Sequence, residues 1–173
     1  LDKHRDELAL VFGRTKHGCE KLYNVLEKKG FAAASIHGNK SQGQRDRALA
    51  AFKSGKVRVL VATDVAARGL DIPDVRYVYN YDLPNVAENY VHRIGRTGRA
   101  GKSGTAMMIC SPRDEKNFAA IEELVKMEIP RMEHAKAGQS AEAETVSEDS
   151  AEKKPARRSR TARSKKSNAQ EPS

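Results

Sequence analysis

Between His92 and Gly101, in the stretch HRIGRTGRAG, arginine recurs at every third residue: Arg93, Arg96 and Arg99. Glycine recurs in the same way, at Gly95, Gly98 and Gly101. A guanidinium is permanently charged and presents a planar fork of donors that matches a phosphate. Glycine lets the backbone turn and lets another molecule approach closely. If residues 85–96 are helical, Arg93 and Arg96 share one face at i, i+3. Arg96 and Arg99 are then free to reach a polyphosphate and stabilise charge developing on a transferred phosphoryl group. A solvated basic loop is the other reading of the same residues.

The continuation Gly101-Lys102-Ser103 looks like the end of a phosphate-binding P-loop. That motif needs a glycine five residues before its Gly-Lys pair, and the position holds Arg96. No other stretch supplies the motif, and no acidic pair resembling Asp-Glu-Ala-Asp follows an apolar strand. The metal-holding half of a nucleoside triphosphatase is therefore missing from these residues, and metal ligands are expected to be none. Cations without a P-loop imply half a site, completed by another domain.

Two further stretches carry suitable groups. In ATDVAARGLD (62–71), Thr63 offers a hydroxyl to a phosphate, Gly69 permits close approach, and Asp71 can accept from ribose hydroxyls. Asp64 reads equally well as a helix N-cap. In SQGQR (41–45), Gln42 and Arg45 fall on the first turn of a helix, where N–H groups and a guanidinium cradle phosphate; an exposed helix face is the alternative. His37 and His92 lack companions at metal-ligand spacing, so hydrogen-bonding roles are expected. Tyr77, Tyr79 and Tyr81 alternate onto one strand face and, with Tyr90, are expected to pack in the core rather than stack on bases.

The elements that must position these groups alternate in type. Apolar runs at 8–13, 32–37, 57–63, 75–81 and 104–110 read as strands. Helical patterns fall at 16–29 (Leu22, Val25 and Leu26 inward, Gly30 at the end), 41–55 (Ser41 as cap, Leu49 and Phe52 inward), 85–94 and 113–127 (Phe118, Ile121, Leu124 and Val125 inward). Alternation of this kind with nearly all-apolar strands predicts an α/β fold, a parallel sheet with helices on both faces. In such sheets ligands gather at the carboxyl ends of the strands. TKHG, HGNKSQ, TDVAARGLD and YDLPN all follow strands at that edge.

Among the 173 residues the formal net charge is +9, which favours an anionic partner without specifying one. From Arg131 to Ser173 there is no Phe, Tyr, Trp, Leu or Ile. Such a segment cannot bury enough apolar area to offset its ordering entropy, so a globular domain at 1–130 and a disordered tail at 131–173 are expected. The tail carries five acids and one lysine over 133–150 (net −4), then eight Lys/Arg against two Glu over 151–173 (net +6). The second block can hold phosphate backbones or simply confer solubility. Cys19 and Cys110 have no metal-like spacing and are expected to be inert interior thiols in a reducing cytoplasm. No apolar run approaches the ~18 residues of a membrane span, and the charged opening LDKHRDE is no signal peptide.

Taken together these stretches resemble the C-terminal RecA-like domain of DEAD-box RNA helicases. VFGRTK is similar to motif IV, SQGQR to the QxxR motif, ATDVAARGLD to motif V, YDLP to motif Va and HRIGRTGR to motif VI. The match covers residues 7–112, and IHGNKSQGQRDRALAAFKSGKVRVLVATDVAARGLDI with NYDLPNVAENYVHRIGRTGRAG and EIPR most resembles the bacterial RhlE-type branch. Gly13 departs from the family, which usually has an apolar or β-branched residue there, and is expected to loosen the end of the first strand.

The resemblance implies a RecA-like fold and roles at matching positions. Arg96 and Arg99 would be arginine fingers, with His92 also in the catalytic set. Gly69 and Asp71, with those arginines, would bind ATP. Thr15, Lys16, Gln42, Arg45 and Thr63 would grip the RNA backbone. Arg93 and Asp64 would serve the interface with the partner domain, and His92 and Arg93 would link motif VI to that domain and to motif V. The cofactor would be ATP with Mg2+ held mainly by an N-terminal RecA-like domain expected upstream of Leu1. The expected protein is a cytoplasmic, monomeric ATP-dependent RNA helicase whose C-terminal half alone is inactive. A stand-alone RNA-binding module and half of a DNA-directed superfamily 2 helicase are the alternatives.

Overall fold

Five short apolar runs become the strands β1 (Ala9–Gly13), β2 (Ala33–Ile36), β3 (Val59–Thr63), β4 (Tyr77–Asn80) and β5 (Thr105–Met108) in the computed structural model, which describes residues 1–132. They lie in the order β2-β3-β1-β4-β5, with every neighbouring pair parallel. Between them run α1 (Lys16–Lys28), α2 (Gln42–Lys53), α3 (Asp64–Ala67) and α4 (Ala87–Ile94), and α5 (Glu115–Val125) follows β5. The expected α/β class holds. Beyond its first two residues, the tail expected over 131–173 lies outside the described residues.

The central strands β1 and β3 are buried at every position, as continuous apolar runs in a parallel sheet require. Alternate side chains serve opposite faces. Val11, Val59 and Val61 pack with Cys19 and Leu26 of α1. Leu10, Phe12, Leu60 and Ala62 pack with Phe52 of α2 and with Ala66 and Ala67 of α3. Phe52 is fully buried, a burial worth about 1.5–3 kcal/mol relative to exposure. Leu83, Tyr90, Phe118 and Ile121 form a third cluster that joins α4 to α5.

Helix starts follow local chemistry. Ser41 accepts from Gln44 N at 3.3 Å while the Gln44 side chain accepts from Ser41 N at 2.9 Å, a reciprocal cap for α2. Thr15 caps α1, accepting from Gly18 N at 3.0 Å. The cap of α3 is Thr63, not Asp64, which is the first residue of that helix.

Several expectations need correction. The inward stripe of α1 runs through Cys19, Leu22 and Leu26, leaving Val25 exposed, and Leu124 of α5 is likewise exposed. A helix resting on a sheet presents a narrower stripe than its apolar positions allow. Tyr90 is buried and Tyr79 packs against the α1 cluster, but Tyr81 is exposed, and Tyr77 stacks on His4 with ring centroids 4.2 Å apart. Cys110 lies beyond the end of β5 and is exposed. Only Cys19 is an interior thiol, and burial pushes it up to about 11.

Gly13 does not loosen β1. A Cβ there would stand 2.6 Å from Cys19 Sγ, so the missing side chain is what lets α1 seat its cysteine against the strand.

Candidate functional site

TKHG, HGNKSQ, TDVAARGLD and YDLPN each lie beyond the carboxyl end of a strand, whereas HRIGRTGRAG runs from the end of α4 back to Val75 and Asp74 at the amino end of β4. Two clefts open on either side of α3. One, about 190 Å³, is lined by Phe12, Asp64, Arg68, His92, Arg93 and Arg96, with Ala67 and Asn89. The other, about 280 Å³, is lined by Arg14, Lys16, Gly38, Arg45, Thr63 and the Val65-Ala66 pair. A larger hollow of about 440 Å³ sits at the amino ends of the strands. There Asp6, Glu7 and Asp74 face Arg58, Arg76 and Lys102, so its charges balance, whereas the 280 Å³ cleft has three cations and no carboxylate among its lining residues.

Helix α4 stops at Ile94 with Gly95 as its cap, so Arg93 and Arg96 do not share a helix face. Arg93 points into the fold and is 1% exposed. Its Nε and Nη2 donate to the two oxygens of Asp64, each at 2.7 Å. Its Nη1 donates to Asn80 Oδ1 at 3.0 Å and to the Asp82 carbonyl at 2.6 Å, and its guanidinium lies 5.0 Å from the Phe12 ring centroid. Within this domain Arg93 is thus tied to the ATDVAARGLD stretch, with Asp64 as its counter-ion.

Arg96 lies past the helix end and donates weakly to the Leu70 carbonyl at 3.4 Å. Burial, then the neighbouring Arg99 charge, lowers its pKa. Arg99 Nε donates to the Gly95 carbonyl at 2.6 Å. Neither arginine forms an ion pair among the described residues. Two neighbouring guanidiniums held without a counter-charge suit an anion. His92 is exposed on the rim of the same cleft. Gly69 adopts φ +75, with nothing near the position of a Cβ. Asp71 is exposed, and Lys53, which donates to it at 2.6 Å, holds its carboxyl below the usual range.

In the second cleft Arg45 Nη2 donates to the Ala66 carbonyl at 3.2 Å, while its Nε is buried without a partner. Thr63 Oγ1 accepts from Ala66 N at 3.4 Å and keeps its own proton to donate. Thr15 is exposed between Arg14 and Lys16. Gln42 lines neither cleft; its amide donates to Asp46 at 2.7 Å. Among the described residues no group of three or more His, Cys, Asp or Glu side chains is placed to hold a metal ion, and no helix is long and apolar enough to cross a membrane.

Two lining arginines were missed. Arg68 reaches towards Asn89 Oδ1 at 3.5 Å, and its place inside ATDVAARGLD was the available signal. Arg14 is held by the Leu83 carbonyl at 3.2 Å and by Asp114 at 3.1 Å. It stands beside Gly13, where attention went to the glycine.

Comparison with known proteins places this geometry. The family described as "helicase conserved C-terminal domain" matches residues 1–101. The DEAD-box ATP-dependent RNA helicase CshA of Bacillus subtilis is 54% identical over 132 residues, which is 76% of this chain and 27% of that protein. The chain therefore spans about a quarter of the length of such relatives. A DEAD box protein from Methanococcus jannaschii superposes with a TM-score of 0.71 at 44% identity, covering 76% of this chain and 36% of that one. The E. coli DEAD-box protein SrmB, solved bound to regulator of ribonuclease activity A, superposes with a TM-score of 0.68 at 39% identity, covering 72% of this chain and 74% of that one.

Proposed function

Because the chain belongs to the helicase conserved C-terminal domain family, we propose that it is the second RecA-like half of a DEAD-box ATP-dependent RNA helicase. The observation that carries this reading is the pair of cation-lined clefts on either side of α3, one lined by Arg68, Arg93 and Arg96, with the Arg99 charge near Arg96, and the other by Arg14, Lys16 and Arg45.

The residues present fit the triphosphate end of ATP, since Arg96 and Arg99 are charged, adjacent and unpaired. Bound ATP with Mg2+ supplies the transferable phosphoryl group. In this reading Arg96 and Arg99 present their guanidiniums to the charge that develops there. Gly69 and Asp71 border the nucleotide, and His92 lies on the rim. Thr15, Lys16, Arg45 and Thr63 hold the sugar–phosphate backbone, which positions a strand without reading its sequence. Gln42 joins them once its bond to Asp46 gives way. An N-terminal RecA-like domain holds Mg2+ and closes on this one, and a monomer acting in the cytoplasm completes the proposal. The RhlE-type branch is a reading of the stretches at 36–72, 80–101 and 128–131, alongside the CshA-named relatives.

Turnover tests it. The purified chain should show no RNA-stimulated ATP hydrolysis. In a full-length enzyme carrying this domain, Arg96→Ala should lower hydrolysis by about 10²-fold or more, as arginine-finger losses do. Near-normal turnover in that variant would sink the assignment. Stimulation by DNA as strong as by RNA would favour a DNA-directed enzyme, because 2′-hydroxyl contacts separate the two.

A further inference from the structure

The carboxylate of Glu20, on α1, gathers three groups from a different part of the chain. Its Oε2 accepts from Ser35 Oγ at 2.9 Å and lies 2.7 Å from His37 Nε2. Its Oε1 accepts from Lys40 Nζ at 2.9 Å. The backbone N–H of Asn39 donates to His37 Nδ1 at 3.3 Å, so the hydrogen-bond pattern assigns the ring proton to Nε2, aimed at Glu20. The His37 bond above all, then those from Lys40 and Ser35, hold the Glu20 carboxyl down at about 2. Lys40 N also donates to the His37 carbonyl at 3.0 Å. Residues 37–40 are thus a turn pinned to α1 at both of its ends.

The pinned turn leads directly into functional groups. Gly38 lines the cleft that holds Arg14, Lys16 and Arg45. Ser41, the next residue after Lys40, caps α2, and Arg45 follows one turn later. On the other side Glu20 lies one turn beyond Lys16 on α1. Glu20 is not among the cleft's lining residues, and Lys40 neutralises it, so the carboxylate does not oppose an anion there.

We propose that Glu20, acting through His37 and Lys40, is the positioning residue of this cleft. It holds the start of α2 against the start of α1, so that the cations of both helices face one phosphate backbone. The proposal rests on the reading of this cleft as the RNA-backbone site.

The whole 173-residue chain, labelled with 15N, is titrated with an oligouridylate of about ten nucleotides. Amide shifts at Gly38, Arg45 and Val65 give the cleft affinity, and shifts within 151–173 give that of the basic segment separately. Glu20→Gln and Lys40→Met should each weaken cleft binding by about fivefold or more, leaving the basic segment unchanged. Combined, they should weaken it no more than the stronger single change, because both cut one network. Unchanged cleft affinity in all variants would mean that Glu20 only satisfies a buried histidine, and the proposal would fall. Additive losses would mean that Lys40 touches phosphate itself, which also overturns it. Cleft amides that do not move in the parent chain would instead remove the RNA-backbone reading. Should Glu20→Gln not fold, Glu20→Asp, which keeps the charge but shortens the reach, replaces it with the same expectation.

Discussion

Arg93 and Asp64 meet in a two-point ion pair, Nε to Oδ1 and Nη2 to Oδ2, both at 2.7 Å, although they lie 29 positions apart in the chain. The pair joins the first residue of α3 to the last turn of α4, the two helices that wall the Arg96 cleft. Asn80 and the Asp82 carbonyl take both Nη1 donors, so four of the five guanidinium N–H groups hold those helices on the sheet.

Removing one partner should therefore be costly. Asp64→Ala leaves a buried guanidinium without its counter-ion, a change that typically costs about 3–5 kcal/mol. Urea unfolding should show that loss. Arg93→Lys should also destabilise the parent, because an ammonium cannot reproduce the planar fork. An Asp64→Ala variant within about 0.5 kcal/mol of the parent, inside the range of ordinary surface changes, would show that the pair does not hold α3 and α4 together.

Gly13 and Cys19 should behave as a coupled pair. Gly13→Ala places a Cβ 2.6 Å from Cys19 Sγ and should destabilise by about 1–3 kcal/mol, as overpacking does. Cys19→Ala introduced into that variant should recover most of the loss, since the sulfur is the nearest obstacle. Unfolding midpoints of the two single variants and the double variant make the comparison. Strict additivity would argue against the contact.

The Glu20 network implies a pH dependence with a definite sign. Its carboxyl titrates at about 2 in the folded chain, against an ordinary value of 4.5. The unfolded chain therefore binds the proton more readily as pH falls. The stabilisation is present above 4.5 and is lost as pH falls from there towards 2. Glu20→Gln lacks this titration, so the parent's stability advantage over it should narrow between about pH 6 and pH 3. Denaturant midpoints at both values test this, and a constant difference would contradict the folded-state assignment.

Much of the fold was legible in the sequence. Apolar runs separated by 3.6-period patterns set the alternation of strand and helix, and Ser41 announced a helix start. TKHG, HGNKSQ, TDVAARGLD and YDLPN marked the carboxyl edge because each directly follows a strand, a relation of neighbours along the chain. The HRIGRTGRAG stretch showed that guanidiniums were on offer, but not which of them faced outwards.

The remainder depended on contacts between distant segments. Arg93 differs from Arg96 only in what lies across from it: Asp64, Asn80 and the Asp82 carbonyl claim one guanidinium and leave the other free. Val25 and Leu124 are as apolar as their buried neighbours, and only the seating of α1 and α5 decides that they face outwards. Gly13 makes sense once Cys19 stands over it, and Glu20 matters because β2 ends beside it. The sequence by itself determined the elements and the types of chemistry available, because periodicity and capping act over a few residues. Tertiary structure decided which charges are spent inside the domain and which are left for a ligand, because that depends on partners brought together only when the sheet assembles.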